Sequence, residues 1–153
     1  MTTREQTTQR PEHIIKPLAP VYAAAEPYVL PMFRVVTGLW FLPHGLPKVF
    51  GGAAGTGEFL ESVGYSPGIF WAWVIALTEV VGGLLLAAGF LTRLAAFAIF
   101  IFMVNAAVYH SQNGFIWGDG GWEYPGMWAA AALVFLVRGG GYLSVDRAIG
   151  REI

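Results

Sequence analysis

Residues 28–50 read Tyr28-Val-Leu-Pro-Met-Phe-Arg34-Val-Val-Thr-Gly-Leu-Trp-Phe-Leu-Pro-His44-Gly-Leu-Pro-Lys48-Val-Phe50, and this stretch decides the fold. As a helix rising about 1.5 Å per residue it spans about 35 Å, enough to cross the ~30 Å hydrocarbon core of a bilayer. Arg34, Thr37, Phe41, His44 and Lys48 step by three or four and so share one face. Gly38 and Gly45 lie at its edge, where a second helix can approach closely. Pro43 and Pro47 bend the run and free backbone carbonyls for neighbours to satisfy.

Three more apolar runs follow, at about 68–91, 94–110 and 124–138. The second carries a single charge, Glu79, with Gly82 and Gly83 one turn on. The third begins after a tight turn at residues 89–93, with Thr92 as its expected N-cap. The fourth ends at Arg138 and the Gly139-Gly140-Gly141 break. The last two are short for a full crossing and either extend into their flanks or thin the bilayer. Residues 51–67 and 111–123 read as Gly-rich loops. The expected architecture is all-α: an integral membrane four-helix bundle over residues 28–153. A polar segment, 1–27, precedes it, disordered at first and then interfacial around residues 14–25. No signal-peptide core, internal repeat or heptad array is present.

Composition agrees. Of 153 residues, 56% are apolar letters and only 12% are charged, about half the charge of an average soluble domain. A net charge of −1 offers no field for nucleic acid, and the absence of cysteine removes disulfides, thiol catalysis and thiolate metal sites. Lys and Arg gather in the N-terminal tail, at Arg93, and at Arg138, Arg147 and Arg151, whereas the other two loops have none. Both termini are therefore expected in the cytoplasm. Tyr65, Trp71, Trp73, Trp117, Trp122 and Tyr124 would form an aromatic belt at the outer interface.

The chemistry rests on ionisable groups in an apolar chain, where a mid-bilayer charge costs about 2.5–3.5 kcal/mol and faces inward toward partners. Arg34 and Glu79 are expected to pair, either as a clamp that holds the first two helices in register or as part of a polar pocket. His44 reads as a hydrogen-bonded core histidine or a proton-transfer group, and Lys48 as a snorkelling lysine or a headgroup contact. Asn105, His110, Asp119 and Glu123 form a second, outer cluster. There Asp119-Gly-Gly also reads as a turn, and Glu123 as a helix-dipole charge. His44 and His110 could ligate haem axially, but two histidines are little support for it. No other metal site, phosphate loop or hydrolase triad is expected.

The segment His44-Gly-Leu-Pro-Lys48 after an early arginine resembles the DoxX family signature. So do Glu79-Val-Val-Gly-Gly-Leu-Leu-Leu-Ala-Ala-Gly89 followed by Arg93, the run Gly120-Gly-Trp-Glu123, and Gly140-Gly-Tyr-Leu-Ser-Val-Asp146. Pro43 and Pro47 depart from that pattern. The resemblance covers residues 28–146 and implies a small four-helix protein of a bacterial or archaeal cytoplasmic membrane. The family includes subunits of thiosulfate:quinone oxidoreductase and of a mycobacterial oxidoreductase complex. By position, Arg34, His44, Lys48, Glu79 and Glu123 match its recurrent polar residues. The expected function is a membrane subunit of a redox system that binds quinone or a similar small molecule in a polar pocket between its helices. His44 and Glu79 would act as the catalytic pair, with Arg34, Lys48, Asn105, His110 and Glu123 around the ligand. Expected partners are lipid, a redox protein and a second copy of the chain. The alternatives are an anchoring subunit without catalysis and a small-molecule or proton carrier.

Overall fold

The computed structural model describes residues 12–152; the disordered start expected for the first residues, with Arg4 and Arg10, lies outside them. Among the described residues all regular structure is helical. Helix α1 spans Ala19–Pro47, so the segment around residues 14–25, expected as a separate interfacial piece, is largely the start of the first helix. The reason is local. Pro20 stands in the first turn, where its missing N–H is no loss, and Ala23–Ala24–Ala25 propagate the helix. The helix breaks at Phe50 and Gly51, the latter at φ 126°. Residues 51–67, expected as loop, contain helix α2 (Ala53–Ser62). Its buried Ala53, Gly57 and Leu60 form one stripe, and Gly57 lies against the backbone of Gly68 and Ile69.

Helix α3 (Gly68–Ala88) is two α-helical segments, Gly68–Leu77 and Gly83–Ala88, joined through a wider π-helical turn at Thr78–Gly82. Helix α4 is Thr92–His110, α5 is Glu123–Arg138 and α6 is the short Val145–Ala148. The interior is built from small side chains. Ala72, Ala76, Ala96, Ala131 and Ala132 are buried, with Leu86, Ile99, Met103, Trp128 and Phe135 filling the gaps. Large apolar residues face outward instead: Val35, Leu39 and Trp40 on α1, Leu84 on α3, Phe97 and Ile101 on α4, Val134 and Val137 on α5. Such a distribution fits lipid, where close helix approach rather than burial of bulk drives packing. Three helical stretches, Lys16–Ser62, Gly68–Ala88 and Thr92–Asn113, are long and apolar enough to cross a membrane. At 16 residues, α5 reaches about 24 Å, some 6 Å short of the hydrocarbon thickness.

Helices α1 and α3 run antiparallel and touch backbone to backbone. A Cβ placed on Gly83 would lie 2.7 Å from the Gly38 carbonyl oxygen. One end of this crossing is tied by Arg34, which is 2% exposed. Its guanidinium donates to the carbonyls of Gly140, Leu143 (2.6 Å) and Ala87 (3.4 Å). The last of these is at the C-terminal end of α3, where a cation suits the helix dipole. Gly89 sits beside it in the left-handed region, and a Cβ there would strike the guanidinium.

The same end is closed by Asp146. Its carboxylate accepts from Leu91 N (2.8 Å), Thr92 N (2.9 Å) and Thr92 Oγ1 (2.7 Å). The N-terminus of α4 is therefore capped from 54 residues away, not by Thr92 as expected; the Thr92 hydroxyl is itself a donor to the cap. Burial works to raise the Asp146 pKa. The hydrogen bonds from Thr92 and Leu91, with the Arg34 charge behind them, outweigh it and hold the carboxyl below its ordinary value.

The crossing predicts that Gly83→Leu costs about 1–3 kcal/mol by overpacking, read as a lower melting temperature in detergent. Gly55→Ala, which meets nothing within 4 Å, should be neutral or slightly stabilising. Equal melting temperatures for the two variants would contradict the contact. Asp146→Ala should cost about 1–3 kcal/mol through its orphaned donors. Because the folded carboxyl has the lower pKa, its contribution is complete above the ordinary aspartate value near 3.8 and is lost as pH falls through the folded value. The variant's melting temperature should vary less than the wild type's across that acid range.

Candidate functional site

The register of α1 on α3 decides which charges meet. Gly38 faces Gly83, Arg34 reaches Ala87, and Gly45 packs on Glu79 and Val80. Glu79 is eight residues from Ala87, about 12 Å along the helix. The expected Arg34–Glu79 pair is therefore not formed. Side-chain direction adds to the offset, because helical side chains lean toward their own N-terminus. Arg34 leans away from Glu79, and Lys48 leans toward it. Lys48 Nζ donates to Glu79 Oε2 and to the His44 carbonyl, both at 2.7 Å. The Glu79 side chain is 5% exposed and that of Lys48 21%. Removing either partner alone leaves a charge in an apolar surround.

Glu79 sits in the π-helical turn of α3, a device often found at functional sites, and it lines a cavity of about 250 Å³ bounded by four helices and a loop. Helix α1 supplies Trp40, Phe41 and His44, and α4 supplies Phe102, Met103, Ala106 and His110. Trp117 enters from the connection that follows α4, and α5 contributes Tyr124, Pro125 and Trp128. The aromatic rings form a continuous wall. Trp40 meets Trp128 edge-on at 5.5 Å, Trp128 meets Tyr124 at 5.8 Å, Tyr124 tilts on Trp117 at 5.0 Å, and Trp117 meets His110 at 5.2 Å. Two histidines and one carboxylate, from three different helices, line a largely aromatic cavity whose rim, at Trp40, His44 and Trp117, is exposed.

The connection over this end is held by its own hydrogen bonds. His110 Nδ1 lies 2.7 Å from the Gly120 carbonyl oxygen. A carbonyl only accepts, so Nδ1 carries the proton and in the neutral ring Nε2 is an acceptor. Asn113 Nδ2 donates to the same oxygen at 3.1 Å. Glu123, the first residue of α5, accepts from Trp117 N at 3.2 Å.

Of the residues singled out from sequence, His44, Glu79 and His110 come together. Lys48 acts on the cavity through Glu79. Arg34 lies ten residues from His44, about 15 Å along α1, and ties the opposite end. Asn105 is turned to Tyr65 Oη and the Ile101 carbonyl, and Glu123 to the loop backbone, so neither lines the cavity. Among the described residues no three His, Asp or Glu side chains are grouped to hold a metal. Sequence reading passed over Trp40, Met103 and Trp128. The signal was there: Trp40 and His44, Tyr124 and Trp128, and Met103, Ala106 and His110 are each spaced by three or four, on one face of their helix.

The DoxX family profile matches residues 29–112. Three curated relatives are similar. One is "Putative oxidoreductase CatD" of Bacillus subtilis, 33% identical over 93 residues, covering 61% of this chain and 67% of the relative. Another is "Uncharacterized membrane protein Rv3486" of Mycobacterium tuberculosis, 33% identical over 147 residues, covering 86% and 87%. The third is "Inner membrane protein YphA" of Escherichia coli, 29% identical over 132 residues, covering 82% and 94%. No solved structure matches the chain.

The Lys48–Glu79 pair gives a double-mutant prediction. Lys48→Met and Glu79→Gln should each lower the melting temperature, and the double variant should lose clearly less than the sum, with a coupling of about 1 kcal/mol or more. Additive losses would mean the two groups do not interact in the folded protein.

Proposed function

The chain belongs to the DoxX family, and on that premise we propose that it is a membrane subunit of a redox system that binds a quinone between its helices. The observation that carries this reading is the convergence of His44, Glu79 and His110 on an aromatic cavity. A quinone is a flat, apolar ring with polar groups at opposite edges. Its faces suit stacking against indole and phenol rings, and its edges need hydrogen-bonding groups. The ~250 Å³ volume lies just below the usual ~300–1,000 Å³ range of ligand sites and suits a single ring with small substituents. His44 and Glu79 are the candidate proton-transfer groups, and His110 orients the ring.

The name of the Bacillus subtilis relative supports redox work. With no cysteine in the chain, there is no thiol–disulfide couple, so electrons would come from the ligand or from a partner protein. In this reading α5 completes a fourth crossing. Lys16, Arg93, Arg138, Arg147 and Arg151 would mark the cytoplasmic end, and the cavity would lie toward the outer face. A purely anchoring role is the second reading, and one observation favours it: Arg34 and Asp146 are spent wholly on packing.

Protein purified in mild detergent should release quinone on solvent extraction, and added duroquinone should quench tryptophan emission saturably. His44→Ala and His110→Ala should each weaken binding about three- to tenfold, the effect of one lost hydrogen bond. No extracted quinone together with no saturable quenching would leave the anchoring reading. A haem absorption band in the same sample would reassign His44 and His110 as axial ligands.

A further inference from the structure

We propose that the cavity holds the reduced, hydroxyl-bearing form of its aromatic ligand in preference to the oxidised, carbonyl-bearing form. This rests on the quinone-binding reading above and specifies which redox form the site is built for. The argument is a count of donors and acceptors. Lys48 takes Glu79 Oε2, and Oε1 carries no protein hydrogen bond among the described residues. His110 Nδ1 is committed to the Gly120 carbonyl, which leaves Nε2 as a lone-pair acceptor in the neutral ring. Two polar groups of the cavity therefore offer acceptors, and one of them belongs to a side chain that is 5% exposed.

A quinone carbonyl has lone pairs and no proton. Set against Oε1 of the Glu79 carboxylate as it stands in the ion pair with Lys48, it makes no hydrogen bond and displaces the water that would have made one. A hydroxyl on the same ring donates to that oxygen, and a hydrogen bond to a charged acceptor is about twice as strong as a neutral one. The remaining polar groups do not reverse the preference. The indole N–H groups of Trp40, Trp117 and Trp128 are donors, while the His44 ring and the Tyr124 hydroxyl each offer a donor and an acceptor. A hydroxyl oxygen accepts from all of these donors as a carbonyl does. The hydroxyl form thus satisfies both kinds of partner, and the carbonyl form only one.

Equilibrium dialysis of the purified protein in detergent tests this, under argon at pH 8. Duroquinone and durohydroquinone share one carbon skeleton and differ in the two groups at issue. Durohydroquinone should bind about tenfold or more tightly, the ratio expected from one charge-assisted hydrogen bond. Equal binding, or tighter binding of duroquinone, overturns this inference and leaves the quinone-site reading standing. If neither binds, that reading falls and the inference with it. Lys48→Met/Glu79→Gln, which removes both charges together, should bring the ratio below about threefold. The wild-type ratio alone is decisive, so a variant that fails to fold takes nothing from the test.

Discussion

Backbone meets backbone where Gly38 of α1 faces Gly83 of α3, and the remaining polar contacts follow from the register this sets. Neither position tolerates a side chain at that distance, so the two helices have little freedom to slide. Once they are locked, Arg34 lies opposite the end of α3 and Gly45 opposite Glu79. A register one turn different would place different groups together in lipid, where no water compensates a mismatch. Two hydrogens in place of side chains thus decide the electrostatics of the protein.

From that register comes a division of labour between two cations on one helix face. Arg34, with its planar fork of donors, gathers three carbonyls and fastens the α3 end to the segment after α5. Lys48, a single flexible ammonium, reaches inward to one carboxylate oxygen and leaves the other for the cavity. The first holds the bundle together, and the second sets the charge of the site. Around them the alanine-rich interior lets α4 and α5 pack closely, while aromatic residues at the other end keep the helices apart and enclose the cavity.

Much of this was legible in the sequence because lipid permits few solutions. The helical class, the membrane setting and the close approach at Gly38 follow from apolar run length and from glycine placement. His44, Glu79 and His110 stood out as ionisable groups in apolar runs. What was not legible depended on long-range register. Arg34 and Glu79 lay within reach if depth was counted from Tyr28, but α1 begins at Ala19 and the glycine crossing shifts the alignment. Asp146 stood only as the last residue of the family-like ending, since nothing nearby in sequence shows that it caps a helix 54 positions upstream. Helix α2 escaped notice because its buried seam is only Ala, Gly and Leu, too small to stand out as an apolar face.

The position of Asp146 bears on how the chain is built. During synthesis α4 leaves the ribosome well before the residue that will seal its first turn, and the amides of Leu91 and Thr92 stay open until α5 has been made. The bundle therefore closes in the reverse of translation order at this end, with a late acidic residue acting as the keystone of an early helix. This end of the bundle can be sealed only after the 54 residues that separate Thr92 from Asp146 have been added.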